Sequence, residues 1–158
     1  MKTFSDHSGR PWTVALNVTT LKRIKALCAV DLMEAVNDGG KLIERLATDP
    51  VLLCDVLSAA CQEQAQAQSV SDAQFGCAMT GDAIEGATEA LLEELVDFFP
   101  KAKREVLRRA LQKMHLYEEK FLKAAHLKLD DPKMDEAVDK AIENALNPGD
   151  SSGSAPAS

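Results

Sequence analysis

Only one stretch of this chain alternates with the period of a β-strand, and a long series of helical patterns follows it. Residues 6–9 (DHSG) have the composition of a hairpin turn. Apolar residues then recur at every second position: Trp12, Val14, Leu16 and Val18. A two-stranded ribbon is marginal in water by itself. The sequence therefore predicts a small hairpin over residues 4–18 that packs on the helices through Trp12.

The composition is that of a single helical core. The chain has 158 residues, of which 46% are apolar but only 4% aromatic, so aliphatic side chains must form that core. No run of about 18 apolar residues is present to span a membrane. The N-terminal residues also lack the apolar segment of a secretory signal. We therefore expect a cytosolic protein with no membrane partner.

Capping residues and prolines mark where several helices begin. Asp49 precedes Pro50 and opens a helix predicted to continue without interruption to residue 68. Three other helix starts have the spacing of a capping box, in which each of two side chains bonds the main chain of the other residue. One of them begins a short helix that ends at Val36. These pairs are Asp31 with Glu34, Ser71 with Gln74, and Asp82 with Glu85.

The second half of the chain predicts two further helices and a tail. Pro100 separates the helix before it from a long one over residues 101–129. Asp131 and Pro132 open an amphipathic helix over residues 134–146. Residues 147–158 are almost entirely Gly, Ser, Ala and Pro, which predicts disorder. The expected fold is mainly α, with an N-terminal β-hairpin and about six to eight helices, divided into 1–129, 130–146 and the tail.

Basic charge is concentrated on one helix of an acidic chain. The net charge is −7, yet residues 101–129 carry 9 basic and 3 acidic side chains, whereas residues 1–100 carry 7 and 15. This basic surface could balance charge within the bundle, dock a partner or bind nucleic acid. The acidic total and the lack of interleaved Gly or aromatic residues disfavour nucleic acid. Its candidate residues are Arg104, Arg108, Arg109 and Lys113.

Candidate catalytic or metal-binding residues are sparse. His115 and His126 lie eleven positions apart, about 16 Å along a helix, and cannot share one metal ion there. The four cysteines match neither a CxxC redox pair nor a zinc site and predict small buried side chains. Phosphate loops, serine elbows and HExxH motifs are absent from the sequence. We therefore expect no metal, no cofactor and no enzymatic activity.

Two apolar rows are candidates for binding a partner. Such rows can form the walls of a groove that accepts an amphipathic helix. Alternatively, they can pack on each other as the core of the bundle. The first row is Leu91, Leu95, Phe98 and Phe99, and the second is Leu107, Leu111, Met114 and Phe121.

Several short segments resemble tailed-phage tail assembly chaperones. Members of that group open with a β-ribbon, continue with a leucine-rich middle helix and then a short polar element. The resemblance covers roughly residues 4–99. The segments that carry it are 9–14 (GRPWTV), 21–24 (LKRI), 30–32 (VDL), 52–57 (LLCDVL) and 69–76 (SVSDAQFG).

The resemblance implies a function in virion morphogenesis. Such a chaperone binds the long tape measure protein in the host cytoplasm and gives way as tail tube protein polymerises around it. The two apolar rows would then contact the client, and the chaperone could form a homo-oligomer. Residues 101–146 exceed what the resemblance covers. The alternative is a small helical nucleic-acid-binding or regulatory protein that uses the basic helix 101–128.

Overall fold

The fold is mainly α with a small N-terminal β-hairpin, as predicted. A computed structural model describes residues 1–147, so the predicted disorder of the tail falls outside these residues except at Asn147. The described part contains eight α-helices, within the expected six to eight. The elements are β1 (Lys2–Ser5), β2 (Pro11–Val14), α1 (Val18–Cys28), a 3₁₀ helix (Leu32–Val36), α2 (Lys41–Thr48), α3 (Pro50–Ala60), α4 (Gln62–Ala67), α5 (Asp72–Ala78), α6 (Asp82–Phe98), α7 (Lys101–Leu129) and α8 (Pro132–Leu146).

The chain divides into two compact units, and the boundary lies inside α7. The first unit is Met1–Met114, and the second begins at His115. The hairpin and helices α1 to α6 belong to the first unit, together with the beginning of α7. The sequence places its first domain boundary later, after residue 129.

The hairpin is organised by the carboxylate of Asp6. Oδ1 accepts hydrogen bonds from the main chain of Ser8 and Arg10 and from the Ser8 hydroxyl, at 2.9, 3.0 and 2.6 Å. Oδ2 accepts the indole N–H of Trp12 at 2.9 Å. Burial opposes ionisation of Asp6, but the bonds from Ser8, Trp12 and Arg10 outweigh it and hold the pKa of this carboxyl below 3.8. One buried charge thus closes the turn and orients the tryptophan.

Strand β2 is shorter than the alternating pattern predicts. Phe4 pairs with Trp12 and Lys2 with Val14, and the strand ends there. Asn17 has an extended backbone, and its side chain caps α1 by accepting the N–H of Thr20 at 3.0 Å. Val18 is therefore the first residue of a helix and is exposed, so the strand prediction over residues 15–18 is wrong. The Asn17 cap therefore starts a helix where the alternation of apolar residues predicted a strand.

Helix starts that rest on a side-chain cap are mostly confirmed. The Asp49 carboxylate accepts the N–H groups of Val51 and Leu52, each at 3.0 Å, ahead of Pro50. Ser71 and Gln74 form both bonds of the predicted capping box.

Two local predictions are wrong, and a third is right in its bounds but not in its helix type. The expected helix over 51–68 is interrupted at Cys61, where the thiol donates to the main-chain oxygen of Thr13. Helix α6 has Gly81 as its N-cap, with φ at +57°, and Asp82 is its first helical residue. The short helix expected from Asp31 to Val36 is present, with Asp31 accepting the N–H of Met33, but it is a 3₁₀ helix.

The core of the first unit surrounds Trp12. This side chain is fully buried and meets the ring of Phe75 edge to face, with centroids 4.9 Å apart. The N–H of His7 in the hairpin turn donates to the carbonyl of Ala78 at the end of α5. The hairpin is therefore tied to α5 through both its core face and its turn. The other large side chains that are fully buried are Phe99, Ile24, Leu32, Leu46, Leu53, Leu57, Leu91, Leu92, Leu95 and Leu107.

Replacement of Asp6 by asparagine is expected to destabilise the first unit by about 2 to 4 kcal/mol. An amide can accept from the turn with its oxygen, but its NH2 group would then face the indole N–H of Trp12, donor against donor. Urea unfolding followed by tryptophan fluorescence measures the loss. Asp82→Asn, at an exposed position, is the matched control and should cost less than about 1 kcal/mol.

The difference between wild type and Asp6→Asn should depend on pH. Because the folded pKa of Asp6 is depressed, its contribution is fully present above 3.8 and is lost as pH falls through the folded pKa. The two proteins should therefore approach each other in stability only as pH falls through the depressed folded pKa of Asp6. A constant difference from neutral pH to strong acid would contradict this role for the carboxylate.

Candidate functional site

The first candidate row lies mostly in the core. Leu91, Leu95 and Phe99 are each at most 1% exposed. Phe98 is half-buried and packs edge to face on Phe99, with ring centroids 5.6 Å apart. Of the two interpretations that the sequence leaves open, packing as core describes these residues. They offer no open groove wall in this conformation.

The second row changes along α7 from buried to exposed. Leu107 is buried, and Leu111 and Met114 are partly buried against the core of the first unit. Phe121, which belongs to the second unit, is 72% exposed. The spacing of these residues keeps them on one side of the helix. The beginning of this row thus packs on the core, whereas no described residue covers it at Phe121.

The second unit exposes apolar side chains on both of its helices. Along α7, Leu122 and Leu129 are also exposed and lie about a quarter-turn around the helix from Phe121. On α8, Met134, Val138 and Ile142 recur at helical spacing, and the last two are each 51% exposed. We call these two sets the α7 stripe and the α8 stripe.

Two residues of the basic surface are engaged at the α6–α7 corner. Arg104 donates from Nε to the carbonyl of Phe99 at 3.3 Å and from a terminal nitrogen to the carbonyl of Asp97 at 3.1 Å. Arg108 binds the Asp97 carboxylate at 3.3 Å. The same carboxylate lies 3.5 Å from Nζ of Lys2. Arginine here satisfies carbonyls at the C-terminal end of α6. The charge-balance interpretation therefore fits Arg108, whereas Arg104 serves as a donor to main-chain carbonyls.

The other two basic candidates have no ion pair among residues 1–147. Arg109 and Lys113 are exposed, and Lys120 follows them on the same side of α7, about 16 Å from Arg109 along the axis. Lys123 forms an i,i+4 pair with Glu119 at 3.5 Å. Of the exposed basic side chains on α7 that have no ion pair in the described residues, Arg109, Lys113 and Lys120 share one side of the helix.

Thiols and imidazoles do not assemble into a recognisable centre in the described residues. No group of three or more His, Cys, Asp or Glu side chains that could hold a metal ion occurs in residues 1–147. Burial raises the pKa of the Cys61 thiol to about 12. Cys28 and Cys54 are partly buried, and burial, with Asp55 nearby, raises the pKa of both. Cys77 is exposed, so the prediction of four buried cysteines is wrong there.

Comparisons with known proteins add no relative to this description. No protein family, curated protein or solved structure matches the chain. Within residues 1–147, none of the helices combines the length and apolar character needed to cross a membrane.

Sequence reasoning included one residue of the accessible apolar surface, Phe121, among its partner-binding candidates. It recognised the amphipathic character of α8 but assigned no partner-binding role to Met134, Val138 or Ile142. Their 3.6-residue period is the same as that of a buried helix face. The pattern alone therefore could not separate a stripe that is covered from one that is exposed.

Substitution of the two rows should separate core from surface. Leu95→Ala is expected to destabilise the first unit by about 2 to 5 kcal/mol, because it removes buried volume. Phe121→Ala, at a side chain 72% exposed, should change stability by less than about 0.5 kcal/mol. Chemical denaturation of both variants measures the difference. Equal costs would contradict the assignment of these residues to core and surface.

Proposed function

We propose that this protein is a non-enzymatic tail assembly chaperone that binds a tape measure protein in the host cytoplasm. The α7 and α8 stripes are the proposed client-binding surfaces. The segments that resemble tail assembly chaperones lie within residues 4–99, and the stripes follow them in the chain. Tail tube protein is a second proposed partner, at the stage when it polymerises around the client.

The observation that carries this proposal is the state of α8. All fifteen residues of this helix, Pro132–Leu146, are exposed. A helix of this length is marginal in water without tertiary packing. Its apolar stripe therefore supplies a surface whose burial by a partner would stabilise the helix itself.

The chemistry of the stripes suits a helical client. An amphipathic helix docks on another apolar helix face through residues at i, i+3, i+4 and i+7. On α7, Leu122 and Leu129 are seven positions apart beside Phe121, and on α8 Met134, Val138 and Ile142 recur every four positions. Methionine and leucine side chains adapt to several partner sequences, which a client with many similar helical segments requires.

The charge distribution is compatible with holding an insoluble client in solution. Residues 1–100 carry 15 acidic and 7 basic side chains. A net charge far from zero opposes association between complexes. The first unit would thus keep the complex soluble while the stripes cover the apolar surface of the client.

Co-expression with the long tape-measure-like protein encoded in the same genome tests this function. We expect a soluble complex that co-purifies and elutes together on size exclusion. The double variant Phe121→Asp with Ile142→Asp should lose the complex, because it places a carboxylate on each stripe. Its hairpin and core should stay folded, since both positions are exposed.

Leu127→Asp with Asp139→Leu provides a control for exposed substitutions away from the stripes. Leu127 is 73% exposed and lies on a different side of α7 from Phe121. Retention of the complex by this control, together with its loss in the stripe variant, supports the proposal. A client that stays insoluble with the wild-type chain would refute it.

A specific observation also supports a second candidate, a helical protein that binds nucleic acid. Arg109, Lys113 and Lys120 form an exposed basic line without ion pairs in the described residues. Phosphate contacts by such a line would give an affinity for DNA or RNA that falls steeply with salt. Binding to duplex DNA at low salt that weakens in Arg109→Ala with Lys113→Ala, while Phe121→Asp has no effect, would favour this candidate over the chaperone.

A further inference from the structure

One edge of the hairpin is closed by a side chain. The carboxamide of Gln64 on α4 accepts the N–H of Thr13 at 3.0 Å and donates to the carbonyl of Thr13 at 2.6 Å. These two bonds imitate the main chain of a neighbouring strand. The outer edge of β2 is therefore satisfied within the molecule.

The same bonds show which way the main-chain N–H and carbonyl groups of β1 point. Thr13 pairs with Thr3 across the antiparallel ribbon. Because Thr13 directs both main-chain groups away from β1, this is a non-hydrogen-bonded pair, and Thr3 directs its N–H and carbonyl away from β2. Ser5 does the same two residues later. No described residue donates to or accepts from the main chain of Thr3 or Ser5, and both residues are exposed.

A groove lies along this open edge. It has a volume of about 340 Å³ and is lined by all of β1 and by one side of α6. The α6 side contributes small residues, Gly86 and Ala90, and two carboxylates, Glu89 and Glu93. Gly86 lets α6 approach β1 closely, since a Cβ there would lie 4.0 Å from Cβ of Phe4. The open space is the groove itself, and a third strand in it would lie about 4.8 Å from β1.

The charged residues of the groove favour a basic partner segment over a second copy of this chain. Lys2 is paired with Glu93 at 2.8 Å, and the N-terminal nitrogen lies 2.9 Å from Glu94. Glu89 is exposed and has no ion pair among residues 1–147. A second copy of the chain, paired edge to edge, would bring the Glu89 and Glu93 carboxylates of both molecules around one groove. Like charges there oppose self-pairing, whereas a basic side chain from another protein would complement Glu89.

We propose that the outer edge of β1 is a docking site for an extended segment of a partner protein that carries a lysine or arginine. The segment adds a third strand by pairing with the main chain of Thr3 and Ser5, and its basic side chain meets Glu89. This site is separate from the α7 and α8 stripes. It stands or fails independently of the proposed chaperone function.

An array of synthetic eight-residue peptides tests the proposal with the full-length chain. The peptides alternate Val and Thr, with one Lys placed at each position in turn and with Glu at the same positions as a matched set. Fluorescence polarisation measures binding, and amide hydrogen exchange detected by NMR reports on Thr3 and Ser5. We expect Lys peptides to bind, Glu peptides to bind at least about tenfold more weakly, and both amides to become protected.

Two kinds of change separate strand addition from general charge attraction. N-methylation of alternate peptide amides keeps every side chain but removes the donors, and should abolish binding. Thr3→Pro removes the outward N–H at an edge position, where proline is compatible with a strand, and should weaken binding at least about tenfold.

Glu89→Lys keeps the test decisive if Thr3→Pro does not fold. This exposed substitution should reverse the preference, so that Glu peptides bind more tightly than Lys peptides. The proposal is overturned if no peptide binds at millimolar concentration, if N-methylated peptides bind equally well, or if sedimentation shows that β1 instead pairs with a second copy.

Discussion

The buried carboxylate of Asp6 is the interaction on which the first unit depends. A free charge at this depth would be costly, and four hydrogen bonds from the turn and from Trp12 offset that cost. The same bonds orient Trp12 against Phe75, so a local turn becomes the anchor of a core. A ribbon of two four-residue strands, marginal alone, is thereby made part of a helical domain.

The two edges of that ribbon differ in their hydrogen bonding, because a side chain bonds the β2 edge and no described residue bonds the β1 edge. Gln64 closes the β2 edge, and the interruption of the helix at Cys61 places two side chains of this region on the main chain of Thr13. The β1 edge stays open beside a groove that contains the carboxylate of Glu89. An unpaired edge can add a strand from another chain, which is the basis of the docking site proposed above.

The helices carry a second contrast, between apolar residues that are covered and apolar residues that are exposed. On α7 the same stripe packs on the core at Leu107 and is accessible at Phe121. Arg104 and Arg108 hold the α6–α7 corner, whereas Arg109 and Lys113 remain accessible. Helix α7 therefore presents both apolar and basic side chains that no described residue covers or pairs.

The sequence by itself determined the class of the fold, the turn at residues 6–9, the capping box at Ser71, the end of α6 before Pro100 and the bounds of α7. These features depend on local hydrogen bonds, prolines and apolar periodicity, which neighbouring residues encode. Tertiary structure alone decided that the helix breaks at Cys61, and that Leu95 is buried while Phe121 is exposed. It also left β1 open and closed β2 through Gln64, 51 positions away from Thr13. Periodicity defines which side of a helix or strand is apolar, but burial requires a partner surface, and its position in space is set by contacts distant in the chain.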